Sequence, residues 1–403
     1  MSSDLASIGG FECSDDRANK LFSMMVNADR SNFFYFPTDC PHREKNGWTG
    51  DASMSADHMV LLYDTVSSWR VWLDNIRHSQ NSEGAIPGII PTAGWGFAWG
   101  NGPLWDSVIF NLPYELYKRR AETAPIKENA DMMLKYLAYI LARRDEDGTF
   151  ALGLGDWCQV SRENSGVYDA PLKVTDTISV MDMAGKASEM LRAVGMTEEA
   201  DYALRIYRDV RDTIRHTLVD FDTFTVYGSC QTAQCAALYY GVFDESERQS
   251  AFSRLLDFIH EKNDKFDCGL LGLHCIFHVL SDFGYSELAY KMIMSEEYPS
   301  YAWLIDAGET AMVEKFMPNS DAYISHNHHF LADISRWFIK YVAGLEIVDH
   351  ATVRVNPMAV SAVNYARAWY ELPSGRVTVT QTRGTDGKPI ITVTAPDGVT
   401  VIR

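Results

Sequence analysis

The sequence predicts a mainly α-helical fold, an (α/α)6 toroid followed by a small C-terminal β-sandwich-like module. Helix-length segments with apolar residues at three and four spacing follow one another from about residue 12 to residue 344, about twelve in all, broken by Gly, Pro and Asp-rich turns. No fixed-period repeat of a solenoid kind runs through them. After Gly344 the composition turns abruptly to β-branched residues in alternation. Twelve helices in consecutive hairpins suit two concentric rings of six, with inner helices apolar nearly all round. The boundary expected from this change divides the chain into residues 1–345 and 346–403.

The segments 51–77, 103–119, 129–143, 177–194, 197–217, 246–261 and 328–342 read as helices. In the last, Phe330, Ile334, Trp337 and Tyr341 fall on one face. Beyond Gly344, Arg376-Val-Thr-Val-Thr and Ile390-Ile-Thr-Val-Thr alternate with period two. Asp386-Gly387 and Asp397-Gly398 are turn signals, and some five short strands are expected.

Composition excludes several functions. Acidic residues outnumber basic ones by 54 to 36, and a formal charge of −18 repels phosphate backbones and anionic lipid surfaces. Nucleic acid and membranes are therefore not expected partners. The first ten residues, Met1 to Gly10, carry neither a basic nor a long apolar stretch, so a cytoplasmic location is expected. Seven cysteines without a Cys-x-x-Cys pair read as reduced core thiols. Ten Trp, twenty Tyr and nineteen Phe are more than packing usually demands, and sugar clefts use such rings as stacking faces. Self-association is compatible with all of this and not specified by it.

Chemistry concentrates in the loop Pro37-Thr-Asp39-Cys-Pro-His-Arg43-Glu44-Lys-Asn-Gly-Trp48-Thr-Gly-Asp51. A glycosidase needs one carboxylic acid to protonate the leaving oxygen and a second carboxylate to activate water or attack carbon. Asp39, Glu44 and Asp51 are candidates from one wall, with Arg43 beside them to hold a carboxylate ionised or to bind a hydroxyl. Asp51 also stands where the N-cap of the next helix would be, and the loop as a whole could be a salt-bridged surface feature. Near the other end, Gly308-Glu309-Thr-Ala-Met-Val-Glu314-Lys precedes Ser325-His-Asn-His328-His329. In a closed ring the last hairpin lies beside the first, so the two acidic clusters can face one another. His326, His328 and His329 do not share a helical face and no HExxH pattern is present, so no metal is expected. A neutral His328 bonded to a sugar hydroxyl competes with a capping or core histidine. Trp95, Trp99 and Trp105 share one glycine-rich loop and Trp157 closes another; Trp105 and Trp157 read as stacking platforms or as cleft walls.

The run Asp39-Cys-Pro-His-Arg-Glu-Lys-Asn-Gly-Trp-Thr-Gly-Asp51 resembles the signature loop of the bacterial α-L-rhamnosidases of glycoside hydrolase family 78. The resemblance continues through Gly155-Asp-Trp157, the Gly-x-Thr-x-x-x-Glu pattern ending at Glu314, Asn327-His328, Trp337 and Val353-Arg-Val-Asn-Pro. It implies an inverting hydrolase of rhamnosides with Glu44 as general acid, Glu314 as general base and no cofactor. It also implies sugar contacts from Asp39, Arg43, Trp48, Asp51 and His328, and a hydrophobic wall of Trp105 and Trp157 for the 6-methyl group. One carboxyl protonated and one ionised give a bell-shaped pH profile. The sequence departs from the family at Ala311 and Val313, where threonine and tryptophan are usual, and at His329, where tyrosine is usual. These departures keep open a related deoxysugar or uronate-containing glycan as substrate, or a sugar-binding remnant without turnover. Members normally carry β-sandwich domains ahead of the toroid, so a trimmed form or a fragment beginning at the first helix is expected.

Overall fold

A computed structural model describes residues 3–92, 94–318 and 324–403, leaving Met1 and Ser2 of the opening stretch outside. A strand, β1 (Gly9–Cys13), precedes the first helix, α1 (Asp16–Ser31). The helices that follow are α2 (Thr49–Leu62), α3 (Val66–Ser79), α4 (Pro103–Asp106), α5 (Val108–Arg120), α6 (Ala124–Leu141), α7 (Leu172–Ala193) and α8 (Thr197–Thr217). A two-stranded hairpin, β2 (Val219–Asp220) and β3 (Thr225–Val226), leads to α9 (Gln231–Tyr239), α10 (Glu245–His260), α11 (Leu270–Asp282), α12 (Ser286–Met294) and α13 (Tyr301–Asp306). The helical part ends in a 3-10 turn (Phe330–Asp333), the short α14 (Ile334–Trp337) and a π turn (Phe338–Val342).

Burial sorts these helices into two layers. In α2 every residue but Asp57 is buried, and α9 and α11 are buried over most of their length, as helices enclosed on all sides must be. By contrast α1, α3, α8 and α10 each bury one stripe and expose charged residues on the other. Going round the inner layer, α2 touches α5, α5 touches α7, α7 touches α9, and α9 touches α11. The 3-10 turn and α14 then contact both α11 and α2, which closes the ring. This is the two-layered helical toroid that the periodicity predicts.

Several details differ from the sequence reading, among them segment 103–119, which is parted at Ser107 into α4 and α5. The segment 51–77 is two helices, parted at Tyr63–Thr65, where Tyr63 leaves the helical region at φ −134°, ψ 151°. Segment 328–342 keeps its expected face, with Phe330, Ile334, Trp337 and Tyr341 all buried, but passes through three helical geometries. The chain also does not start on a helix. β1 pairs antiparallel with β6 (Tyr365–Leu372), from Gly9 opposite Tyr370 to Cys13 opposite Ala366.

After Gly344 come six strands: β4 (Leu345–Asp349), β5 (Thr352–Val355), β6, β7 (Gly375–Arg383), β8 (Pro389–Thr394) and β9 (Thr400–Ile402). They form two sheets, in the orders β1-β6-β7-β8 and β4-β5-β9. The β-module therefore draws one edge strand from the N-terminal segment, so strand-forming residues are not confined to 346–403. It docks on the toroid through Tyr370, whose hydroxyl donates to the Val60 carbonyl, and through the Ile8 N–H, which donates to the Leu62 carbonyl. All seven cysteines are free, six of them buried. Among the described residues no helix is long and apolar enough to cross a membrane.

The buried Asp156 holds one inner helix in place. Its carboxylate accepts from the N–H groups of Gly269, Leu271 and Gly272 at 2.8, 3.0 and 3.1 Å, and from the Thr232 hydroxyl at 2.6 Å. It thus satisfies the open N-terminus of α11 from a remote loop, where a negative charge also meets the helix dipole. Asp156→Ala would leave those amides unpaired, and a loss of about 3 kcal/mol in urea unfolding is expected.

Candidate active site

The loop between α1 and α2 is tied down at both ends. Thr38 N–H donates to the Asn32 carbonyl at 2.7 Å, Asp39 N–H donates to the Asn46 carbonyl at 2.9 Å, and Asn46 N–H donates to the Asp39 carboxylate at 2.8 Å. Glu44 N–H rests on the Cys40 sulfur at 3.2 Å. Helix α2 starts at Thr49, whose N–H is satisfied by the Gly88 carbonyl, so Asp51 is not the N-cap expected from the sequence. It sits within the first turn, two residues past the helix start, and its carboxylate is free to reach across the ring. A Cβ at Gly50 would lie 2.3 Å from the Trp105 indole, so glycine is what lets that ring pack on the helix.

Opposite this loop, residues 312–314 and 325–328 are bonded to one another. Glu314 N–H donates to the Ser325 carbonyl at 2.9 Å, and Ser325 N–H donates to the Glu314 carboxylate at 3.1 Å. His328 N–H donates to the Met312 carbonyl at 2.8 Å. The His328 ring then meets Asp51 through Nε2 at 2.6 Å, joining residues 277 positions apart.

These two walls enclose a small cavity of about 60 Å³. Asp39, Glu44, Trp48, Asp51, Trp105, Trp157, Glu314 and His328 all line it. Arg43, the remaining residue singled out in the sequence, lies across two of them, 3.6 Å from Glu44 Oε1 and 3.6 Å from Glu314 Oε2. The Trp48 indole N–H donates to Glu44 Oε2 at 2.8 Å. Leu154, Leu270, Phe330 and Trp99 complete the lining. Nothing in the sequence marks the two leucines, Phe330 reads as core, and Trp99 carries the signal of a tryptophan among glycines. The result is a chamber lined by four carboxyl groups from the two walls and by five apolar side chains, Trp105, Leu154, Trp157, Leu270 and Phe330. A longer, open groove along the β2–β3 hairpin lacks this pairing of carboxylates with an enclosed apolar wall.

Electrostatics follow from burial. Desolvation raises Asp39 to about 6, helped by Asp51 and Glu44 and opposed by His328. Burial also raises Asp51, against the pull of His328. For His328 burial works against the charge, but the field and hydrogen bond of Asp51, with Glu314 and Asp39 beyond, carry it up to about 9. His328 is therefore held protonated at neutral pH against Asp51. His328 Nδ1 is buried with no hydrogen-bond partner among the described residues, a donor available to a ligand. The three neighbouring histidines diverge, His326 to Glu309, His328 to Asp51 and His329 to Ser55. Among the described residues no group of three or more His, Cys, Asp or Glu is placed to hold a metal ion.

A chamber with facing carboxylates inside a helical toroid agrees with the family comparison, in which residues 6–342 match the bacterial alpha-L-rhamnosidase 6 hairpin glycosidase domain. The chain belongs to that family. Among curated relatives, an alpha-L-rhamnosidase of Formosa agariphila is 27% identical over 380 residues, covering 92% of this chain and 41% of its own length. Among solved structures, the Streptomyces avermitilis alpha-L-rhamnosidase complexed with L-rhamnose superposes with a TM-score of 0.91 at 25% identity, covering all of this chain and 39% of that one. The alpha-L-rhamnosidase from Dictyoglumus thermophilum has the same fold, with a TM-score of 0.92 at 24% identity over 99% of this chain and 45% of its own. The six-hairpin chain thus spans less than half the length of these relatives.

The Asp51–His328 pair gives a direct test of the site's electrostatics. Following the His328 ring by NMR should show loss of its proton near pH 9, and Asp51→Asn should move that titration downward by at least two pH units. A His328 that titrates near 6.5 in both proteins would show that the pair is not formed.

Proposed function

We propose that this chain is the hydrolytic centre of an inverting glycosidase that releases terminal α-L-rhamnose from rhamnosides. The observation that carries the reading is Arg43, in contact at once with the carboxylates of Glu44 and Glu314 beside a cavity lined by four carboxyl groups and by apolar side chains. Two contacts across one guanidinium hold the carboxyl groups within roughly 9.5 Å, the upper end of the range in which inverting enzymes seat a water between acid and base. Glu44 is the general acid and donates its proton to the glycosidic oxygen as the bond to the anomeric carbon breaks. Glu314 is the general base and takes a proton from the water that attacks that carbon from the opposite face. The products are free sugar and the aglycone alcohol, and neither metal nor cofactor enters the balance.

Other lining residues have roles that suit their chemistry. Asp39, Arg43, Trp48, Asp51 and His328 offer polar atoms to the ring hydroxyls, and the carboxylates among them favour the positive charge that develops in an oxocarbenium-like transition state. Trp105 and Trp157 form the apolar side, where a 6-methyl group fits and a hydroxymethyl would leave its oxygen unpaired. Ala311, Val313 and His329, the departures from the family pattern, are buried and do not line the cavity. Their positions behind the wall favour the ordinary sugar over an unusual one.

Hydrolysis of p-nitrophenyl α-L-rhamnopyranoside by this chain, followed by proton NMR, should yield the β-anomer first. Glu314→Gln should lower kcat by at least about a thousandfold. An α-anomer as first product would overturn inversion. No turnover by a folded chain on a panel of aryl glycosides would overturn the catalytic reading itself.

A further inference from the structure

Lys315 follows the proposed base in the chain and is only 3% exposed, yet it does not line the chamber. Its ammonium donates to the Glu163 carbonyl at 2.6 Å and to the Arg162 carbonyl. Those two residues form the exposed tip of the loop that leaves Trp157. Water would satisfy carbonyls at such a tip, so the bonds from Lys315 are not needed to cover orphaned groups. Their consequence is one of position: a buried cation with three donors fastens two successive carbonyls of the loop to the segment that carries Glu314.

The loop needs such a fastening. Directly after Trp157, Cys158 stands at φ +64°, a left-handed conformation that residues with side chains disfavour, and its N–H donates to the Ser165 carbonyl at 2.9 Å. The base of the loop is closed by Gln159, which accepts from the Asp169 N–H at 2.6 Å and donates to the Asp169 carboxylate at 2.8 Å. On the returning limb Gly166 backs the Trp157 indole, and a Cβ there would lie 3.1 Å from that ring. The main chain of Trp157 is held separately, by the Leu270 N–H at 2.9 Å from its carbonyl. What sets the ring against the base is therefore the limb at Gly166, and the tip beside that limb is held by Lys315. We infer that Lys315 is a positioning residue that sets the Trp157 face relative to Glu314 and so determines the fit of the apolar edge of the sugar. The identity of that sugar, and of its 6-methyl group as the edge that meets Trp157, rests on the proposed glycosidase reading.

The test uses the whole chain and free sugars, so that binding is read without turnover. L-rhamnose and L-mannose, which carries a hydroxyl on C6, would be titrated by calorimetry into the parent, Lys315→Met and Lys315→Arg below their unfolding range. Lys315→Met should bind L-rhamnose about tenfold more weakly and lose most of its preference over L-mannose, whereas Lys315→Arg, which can still reach both carbonyls, should stay within about threefold of the parent. On p-nitrophenyl α-L-rhamnopyranoside the Met variant should show KM raised about tenfold and kcat lowered by less than about threefold. A role in stability alone would lower Tm and leave the preference where it is. An unchanged preference in folded Lys315→Met, or equal weakening on both sugars, would overturn the inference. Should that variant fail to fold, Lys315→Gln, with one shorter donor, is held to the same criteria. If L-rhamnose affinity depends on Lys315 while the parent cleaves no glycoside, the positioning role stands and the hydrolytic reading falls; a folded parent that binds neither sugar would overturn both.

Discussion

Asn327 closes the ring. Its side-chain oxygen accepts from Ser31 Oγ at 3.0 Å and from Asn32 Nδ2 at 2.8 Å, fixing the last loop of the toroid to the C-terminus of α1. Every feature of the site depends on that junction, because one catalytic wall follows α1 and the other precedes the terminal helical segment. Deeper in the barrel the same seam is held by charge. His58 of α2 bonds Asp29 of α1 at 2.9 Å and faces Asp333 at 3.6 Å, while Arg336 bridges Asp333 and Asp57 at 2.6 and 2.7 Å. Burial opposes a charge on His58, but Asp29 and Asp333 raise it to about 9. Such a network adds little net stability over an apolar core, yet removing one partner strands the others, at about 3–5 kcal/mol. It holds one register between first and last helices, and that register is what brings Glu44 opposite Glu314.

The chamber then divides its work by polarity. Carboxylates that would repel one another in a dry pocket are kept together by Arg43 and by protonated His328, each cation set between two acids or against one. The indoles and leucines of the lining exclude water, which strengthens those interactions. Asp156 belongs to this wall indirectly. By capping α11 it places Leu270, whose N–H is bonded to the Trp157 carbonyl at 2.9 Å, and so fixes both side chains at the cavity.

Much of this was legible in the residues, and what was not has physical causes. Helical periodicity is local, so the toroid could be counted from the sequence. Strand pairing is not local, and Gly9-Gly-Phe-Glu-Cys13 has no alternation by which to foresee a partner some 350 residues away. The division at Tyr63–Thr65 escaped notice because apolar spacing carries on through it. Asp51 looked like a cap since acidic residues favour helix starts, but the Gly88 carbonyl had already taken the first amide. The loop 39–51 was legible because its residue types only make sense together. Leu154 and Leu270 were not, since a leucine in a cavity wall has the same spacing and chemistry as one in the core.

The central claim is that Glu44 and Glu314 act on opposite ends of one displacement, and leaving-group dependence separates them. Rates of Glu44→Gln and Glu314→Gln would be measured on methyl, p-nitrophenyl and 2,4-dinitrophenyl α-L-rhamnopyranosides. An acid matters less as the leaving group improves, so the Glu44 variant should recover most of its activity on the dinitrophenyl substrate while the Glu314 variant stays impaired on all three. The same dependence for both variants, or recovery by Glu314→Gln instead, would contradict the assignment.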